Sequence, residues 1–122
     1  MSLPSEVTVG LVKYRVHEVV DLLGTGDEGE SVRCNGRVRA SDAAIWIDEA
    51  LEPQIKPITL MHEIIHAILE QSGHDDHPEG LVRCLSYGLL AFMRDNVDWV
   101  YALLNPVADK SEFLQKLGLY HE

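Results

Sequence analysis

The chain is short of several things, and each shortage removes a class of protein. It holds two cysteines in 122 residues, Cys34 and Cys84. Two are too few for a disulfide scaffold or a four-cysteine zinc module, and that usage fits a reducing cytoplasm. It is also short of bases: ten Lys and Arg stand against twenty Asp and Glu, for a formal charge of −10. A surface that acidic repels nucleic-acid phosphates and anionic membranes at long range. The best basic patch is RCNGRVR, residues 33–39. No apolar run approaches the ~18 residues of a membrane span, and MSLPSEVTVG lacks the charged-then-apolar pattern of a signal peptide. Repeats and low-complexity tracts are absent. The expectation is a cytoplasmic protein with neither nucleic acid nor membrane as partner.

What is present is a globular composition, with 46% hydrophobic and 25% charged residues. The length suits one domain over residues 1–122. Such a chain can bury a core without a metal staple, so any metal is expected to serve function rather than folding.

The first part of the chain reads as strands. EVTVGLVKYRVHEVVDL is rich in valine and roughly alternates, although residues 16–23 also carry helical spacing. GTGDEGE, residues 24–30, is a turn, and SVRCNGRVRAS reads as a hairpin about Asn35-Gly36. AAIWIDEAL follows as a short apolar strand, with Trp46 assigned to the core or to a substrate-lining edge. Helices come after. From Ile58 to Gln71, Ile58, Met61, Ile64, Ile65, Ile68 and Leu69 gather on one face. Thr59, His62, Glu63, His66 and Glu70 gather on the other, at about 100° per residue. Gly73 is a C-terminal stop. A second helix spans about 78–96, with an apolar stripe of Leu81, Val82, Leu85, Leu89, Phe92 and Met93. NVDWVYALLN extends or follows it, and KSEFLQKLGL is a last short helix. Strands first and helices after make an α+β domain.

The chemistry concentrates in HEIIH, residues 62–66. Residues four apart share a helix face, so His62 and His66 can present two imidazoles to one ion. Zinc accepts histidine nitrogen and tetrahedral geometry. Glu63, one step round the helix, can take a proton from an attacking water and pass it to a leaving amine. Catalytic zinc sites use three protein ligands. The metzincin spacing fails, because Leu69 and Ser72 stand where its glycine and third histidine would be. Glu70, His74, Asp75, Asp76, His77 and Glu79 are the nearby candidates. Glu70 lies a turn too far along. Glu79, at the start of the second helix and semi-buried beside its apolar stripe, is the first choice, with His74 and His77 the alternatives. Asp76-x-x-Glu79 also reads as a capping box, and His74 or His77 as an oxyanion donor. Arg83 and Tyr87, further along the same flank, can orient Glu79, and Cys34 can cap a metal.

TLMHEIIHAILEQSG, followed by an acid opening the helix PEGLVRCLSYGLLAFMRDN, resembles the ImmA/IrrE-type metallopeptidases, most of all their short, phage-associated members. GRVRASDAAIWIDEALEPQIKPIT is similar to the strand and linker before that family's active-site helix, so the likeness covers roughly residues 35–96. The resemblance implies a zincin-like fold: a small, mostly antiparallel sheet on an HExxH helix, with an edge strand along the cleft. It implies zinc on His62, His66 and Glu79, with Glu63 as general base. It also implies a protein substrate, such as a regulator of a phage or mobile element. The alternative is a binding module of the same fold that sequesters a protein partner without hydrolysing it.

Overall fold

The computed structural model describes residues 2–105 together with Gln115, Lys116 and Gly118. The chain divides into two compact units, Met1–Gly88 and Leu89–Glu122. Strands β1 (Glu6–Val9), β2 (Val12–Val19), β3 (Leu23–Thr25), β4 (Ser31–Arg33), β5 (Gly36–Arg39) and β6 (Ala44–Asp48) precede helices α1 (Lys56–Gln71), α2 (Glu79–Asp95) and α3 (Val97–Leu104). The α+β expectation agrees with this order. No helix among the described residues is long and apolar enough to cross a membrane. The short helix expected over 110–119 falls outside the described residues, apart from Gln115, Lys116 and Gly118.

The first unit is built on a four-stranded sheet in the order β1-β2-β6-β5. Its outer pairs, β1–β2 and β5–β6, are antiparallel, while β2 and β6 run parallel in the centre. Residues 16–19 continue β2 as a strand rather than turning helical, since each pairs with β6 from Ile45 to Asp48. The alternation of β2 and β6 puts Tyr14, Ile45 and Ile47 on one face, where they pack with Val9 and with Leu60 and Ala67 of α1. Trp46 faces the other way. Its ring stacks on His17 at 6.3 Å, and the Arg37 guanidinium lies 5.7 Å from its centroid. It belongs neither to the core nor to the cleft described below.

The expected hairpin at Asn35-Gly36 does not form. β4 pairs back with β3 across Gly26–Glu30, and β5 pairs forward with β6. The chain changes sheets at Cys34–Asn35, where the Cys34 N–H donates to Leu22 O and Asn35 O accepts from Asp48 N–H. Asp48, almost fully buried, fixes this junction by accepting from Ala50 N–H at 2.9 Å and from Arg33 Nε at 3.3 Å. Those contacts outweighed the local turn preference of Asn-Gly. The turn signal that did operate was the glycine-rich 24–30 stretch. As a result β6 is an inner strand, and the sheet's edge beside α1 is β5 rather than AAIWIDEA.

α1 begins with Pro57 in its first turn, where a missing N–H costs no hydrogen bond. It ends in a Schellman turn: Gly73 adopts φ +83°, its N–H donates to Glu70 O, and His74 N–H donates to Leu69 O. Gln71 ties this end to the sheet by donating to Val9 O at 2.7 Å. It sits over Gly10, whose φ of +59° turns β1 into β2 and where a side chain would strike the Gln71 amide.

Candidate metal centre

The Schellman turn sends residues 74–78 back along α1, and α2 then opens at Glu79. In this way one continuous stretch of chain carries the imidazoles of His62 and His66 and the carboxylate of Glu79 to the same point. Glu79 Oε2 lies 2.9 Å from His62 Nε2, and Oε1 lies 3.0 Å from His66 Nε2. The two Nε2 atoms are 3.2 Å apart. Of the described residues, these three form the group able to hold a metal ion, with ligand atoms all within 4.8 Å of one another. Two histidine nitrogens and a carboxylate oxygen are a donor set that zinc takes, and their mutual closeness lets the three side chains serve one ion.

The candidates weighed for the third position now separate. Glu79 joins the histidines, but its side chain is 64% exposed rather than semi-buried. It is the first helical residue and not the third, with Leu81 and Val82 donating to Pro78 O, so Asp76 and Glu79 form no capping box. His77 lies behind His66, with the two Nδ1 atoms 2.8 Å apart. His74, Asp75, Asp76 and Glu70 stand outside the ligand group. Arg83 and Tyr87 line the same cleft. Glu79 directs both carboxylate oxygens to the histidines and forms no ion pair with Arg83 one turn on. Cys34 also lines the cleft but is not in the group. Burial, and then the nearby Glu63, push its thiol pKa up, which disfavours the thiolate a metal would need.

Glu63 is pressed under the sheet edge at Gly36. It is 7% exposed. Burial, and then the charge of Glu79, raise its pKa to about 8 in the metal-free protein. Burial lowers the pKa of His66, which keeps that imidazole neutral and able to ligate. The wall over Glu63 is β5, and its closeness depends on Gly36, expected in a hairpin turn and found instead in the strand. A Cβ on Gly36 would come within 2.8 Å of Thr59 Cγ2 and 3.0 Å of Glu63 Cγ and Oε2. The available signal was a glycine inside a strand-like run, which marks a close backbone approach. The resulting cleft measures about 730 Å3 and runs from Arg33–Val38 across α1 to Glu79, Arg83 and Tyr87.

No protein-family model, curated protein or solved structure matches the chain. Function therefore has to be argued from the site itself.

Proposed function

We propose that the protein is a zinc-dependent metalloendopeptidase with a zincin-like fold, of the ImmA/IrrE type. The observation that carries this reading is the placement of a buried carboxylate, Glu63, next to a histidine–histidine–carboxylate set whose ligand atoms lie within 4.8 Å of one another, along an open cleft. His62, His66 and Glu79 would hold the zinc. When bound, zinc supplies Lewis acidity, polarising a carbonyl and making water a competent nucleophile near neutral pH. Glu63 is the proton carrier. Burial raises its proton affinity, and the positive charge of a bound zinc would favour its ionised form, so that it can accept the proton of the attacking water and return it to the departing amine.

The substrate's path is the free edge of β5. Asp48 N–H donates to Asn35 O, and antiparallel alternation then makes Arg37 and Trp46 the next hydrogen-bonded pair. Gly36 and Val38 consequently turn their N–H and C=O groups away from β6. An extended peptide can pair with those groups as an added strand, which lays its backbone beside Glu63. A protein segment such as a phage or mobile-element regulator is the expected substrate.

The test is Glu63→Gln. The variant should retain zinc at wild-type stoichiometry and lose about 10²–10⁴-fold in cleavage of a peptide library. Equal cleavage by the two proteins would remove Glu63 from the mechanism, and wild-type protein that binds no zinc would remove the metal. Zinc-loaded wild type that cleaves no peptide would favour sequestration of a partner.

A further inference from the structure

We infer that His77 is a positioning residue, which fixes the tautomer of His66 through a relay that starts at a backbone carbonyl. The inference rests on the metal-site reading above: His66 Nε2 faces Glu79 Oε1 at 3.0 Å, and two acceptors meet at that distance only across a shared ion. His77 Nε2 is within hydrogen-bonding distance of His74 O. A carbonyl can only accept, so His77 carries its proton on Nε2. A neutral imidazole has one N–H, which leaves His77 Nδ1 with a lone pair. His66 Nδ1 stands 2.8 Å from that lone pair and must donate to it. His66 Nε2 is then bare, and it is the atom that faces Glu79 and His62. The relay hands each ring one donor and one acceptor role, and its end point is a lone pair directed into the ligand set.

Two features of the fold set the relay up. The turn at Gly73, closed by His74 N–H on Leu69 O, reverses the chain so that residue 77 comes back level with residue 66. The two rings also lie nearly parallel, 29° apart with centroids at 5.0 Å, so packing holds them in the plane that the hydrogen bond needs. Ligating histidines commonly donate their second nitrogen to a carboxylate or carbonyl. Here the carbonyl is reached through a second imidazole. This explains a loop histidine that is neither a ligand nor part of the cleft's chemistry.

The experiment uses the full chain and two variants. His77→Phe keeps a ring to stack on His66 but removes the acceptor. His77→Asn supplies an amide oxygen to accept from His66 and an NH2 to donate toward His74 O. Nitrogen-15 spectra of zinc-loaded wild-type protein should show His66 protonated on Nδ1 and His77 protonated on Nε2. In His77→Phe, the His66 Nδ1–H should lose its hydrogen-bonded shift and exchange faster with solvent. Zinc affinity, measured by competition with a chromophoric chelator, should fall about 10–100-fold in His77→Phe and recover substantially in His77→Asn. His77 protonated on Nδ1 in the zinc-loaded wild type would overturn the relay. So would unchanged zinc affinity in His77→Phe, or a His77→Asn variant no better than His77→Phe. Wild-type protein that binds no zinc would refute the metal reading and the relay with it, whereas the other outcomes refute the relay alone.

Discussion

Helices α1 and α2 are similar in length and in amphipathic pattern, yet the fold uses them differently. α1 buries Thr59, Leu60, Glu63, Ile65 and Ala67. α2 buries only Val82 and Ser86, and Leu81, Leu85, Leu89 and Phe92 of its apolar stripe remain exposed. The site draws one kind of group from each. From α1 comes a carboxylate shut away from water, with a proton affinity suited to carrying protons. From α2 comes a carboxylate in contact with water, Glu79, whose side chain is 64% exposed. Two glutamates of the same intrinsic chemistry acquire different roles because one helix lies under a sheet and the other does not.

The largest effect that separates the helices should be pH-dependent. Glu63 has a folded-state pKa near 8 against an ordinary value of 4.5, so the folded metal-free protein binds more protons than the unfolded chain between those limits. Its stability contribution is present below about pH 4.5 and is lost as pH rises toward 8, by roughly 3–5 kcal/mol in all. His66, with its pKa held below 6.5 by burial, contributes a slope of opposite sign at lower pH. Denaturant melts of the metal-free wild type should therefore be compared with Glu63→Gln, which ought to remove the decline between pH 6.5 and 8. Identical slopes in the two proteins would show that Glu63 is not desolvated.

Next in size is the packing of α1. Ile65 is 5% exposed, and Ile65→Ala should lower the unfolding free energy by about 2–5 kcal/mol. The smallest effect belongs to α2. Leu81, 54% exposed, should tolerate Leu81→Ser within about 0.5 kcal/mol. If chemical denaturation found the two substitutions equally costly, the contrast between the helices would fail.

The letters H-E-x-x-H, the helix beneath them, its stop at Gly73 and the opening of α2 were all legible, because each depends on local periodicity and turn chemistry. The side of α1 that meets the sheet was legible only in part. The wheel assigned the core to the isoleucine face, and Ile64 and Ile65 do pack inward, but Leu60, Glu63 and Ala67 are buried as well and Ile68 is exposed. A helix with neighbours on more than one side has several buried arcs, and hydrophobicity alone does not say which element covers each. The strand order was hidden for a related reason. Asn35-Gly36 carries a strong local turn signal, but the Asp48 contacts that override it come from a residue thirteen positions further along. Glu79 could be named as a candidate ligand from its place at the head of α2 together with the family resemblance. The role of His77 could not, because it depends on the exact path of the chain after Gly73.

That path has a consequence for how the site assembles. His62, His66, His77 and Glu79 all fall within one helix–turn–helix stretch, so bringing them together closes only a short loop. Contacts of such low sequence separation form early and quickly. Glu63 is different: it is covered only when β5 is in place, and β5 is held through β6 and the junction at Asp48. Assembly of the candidate ligand group and the exclusion of water from Glu63 therefore rest on different parts of the chain, the first on local contacts and the second on the whole sheet. Loosening the junction at Asp48 would wet Glu63 while leaving the contacts among His62, His66 and Glu79 in place.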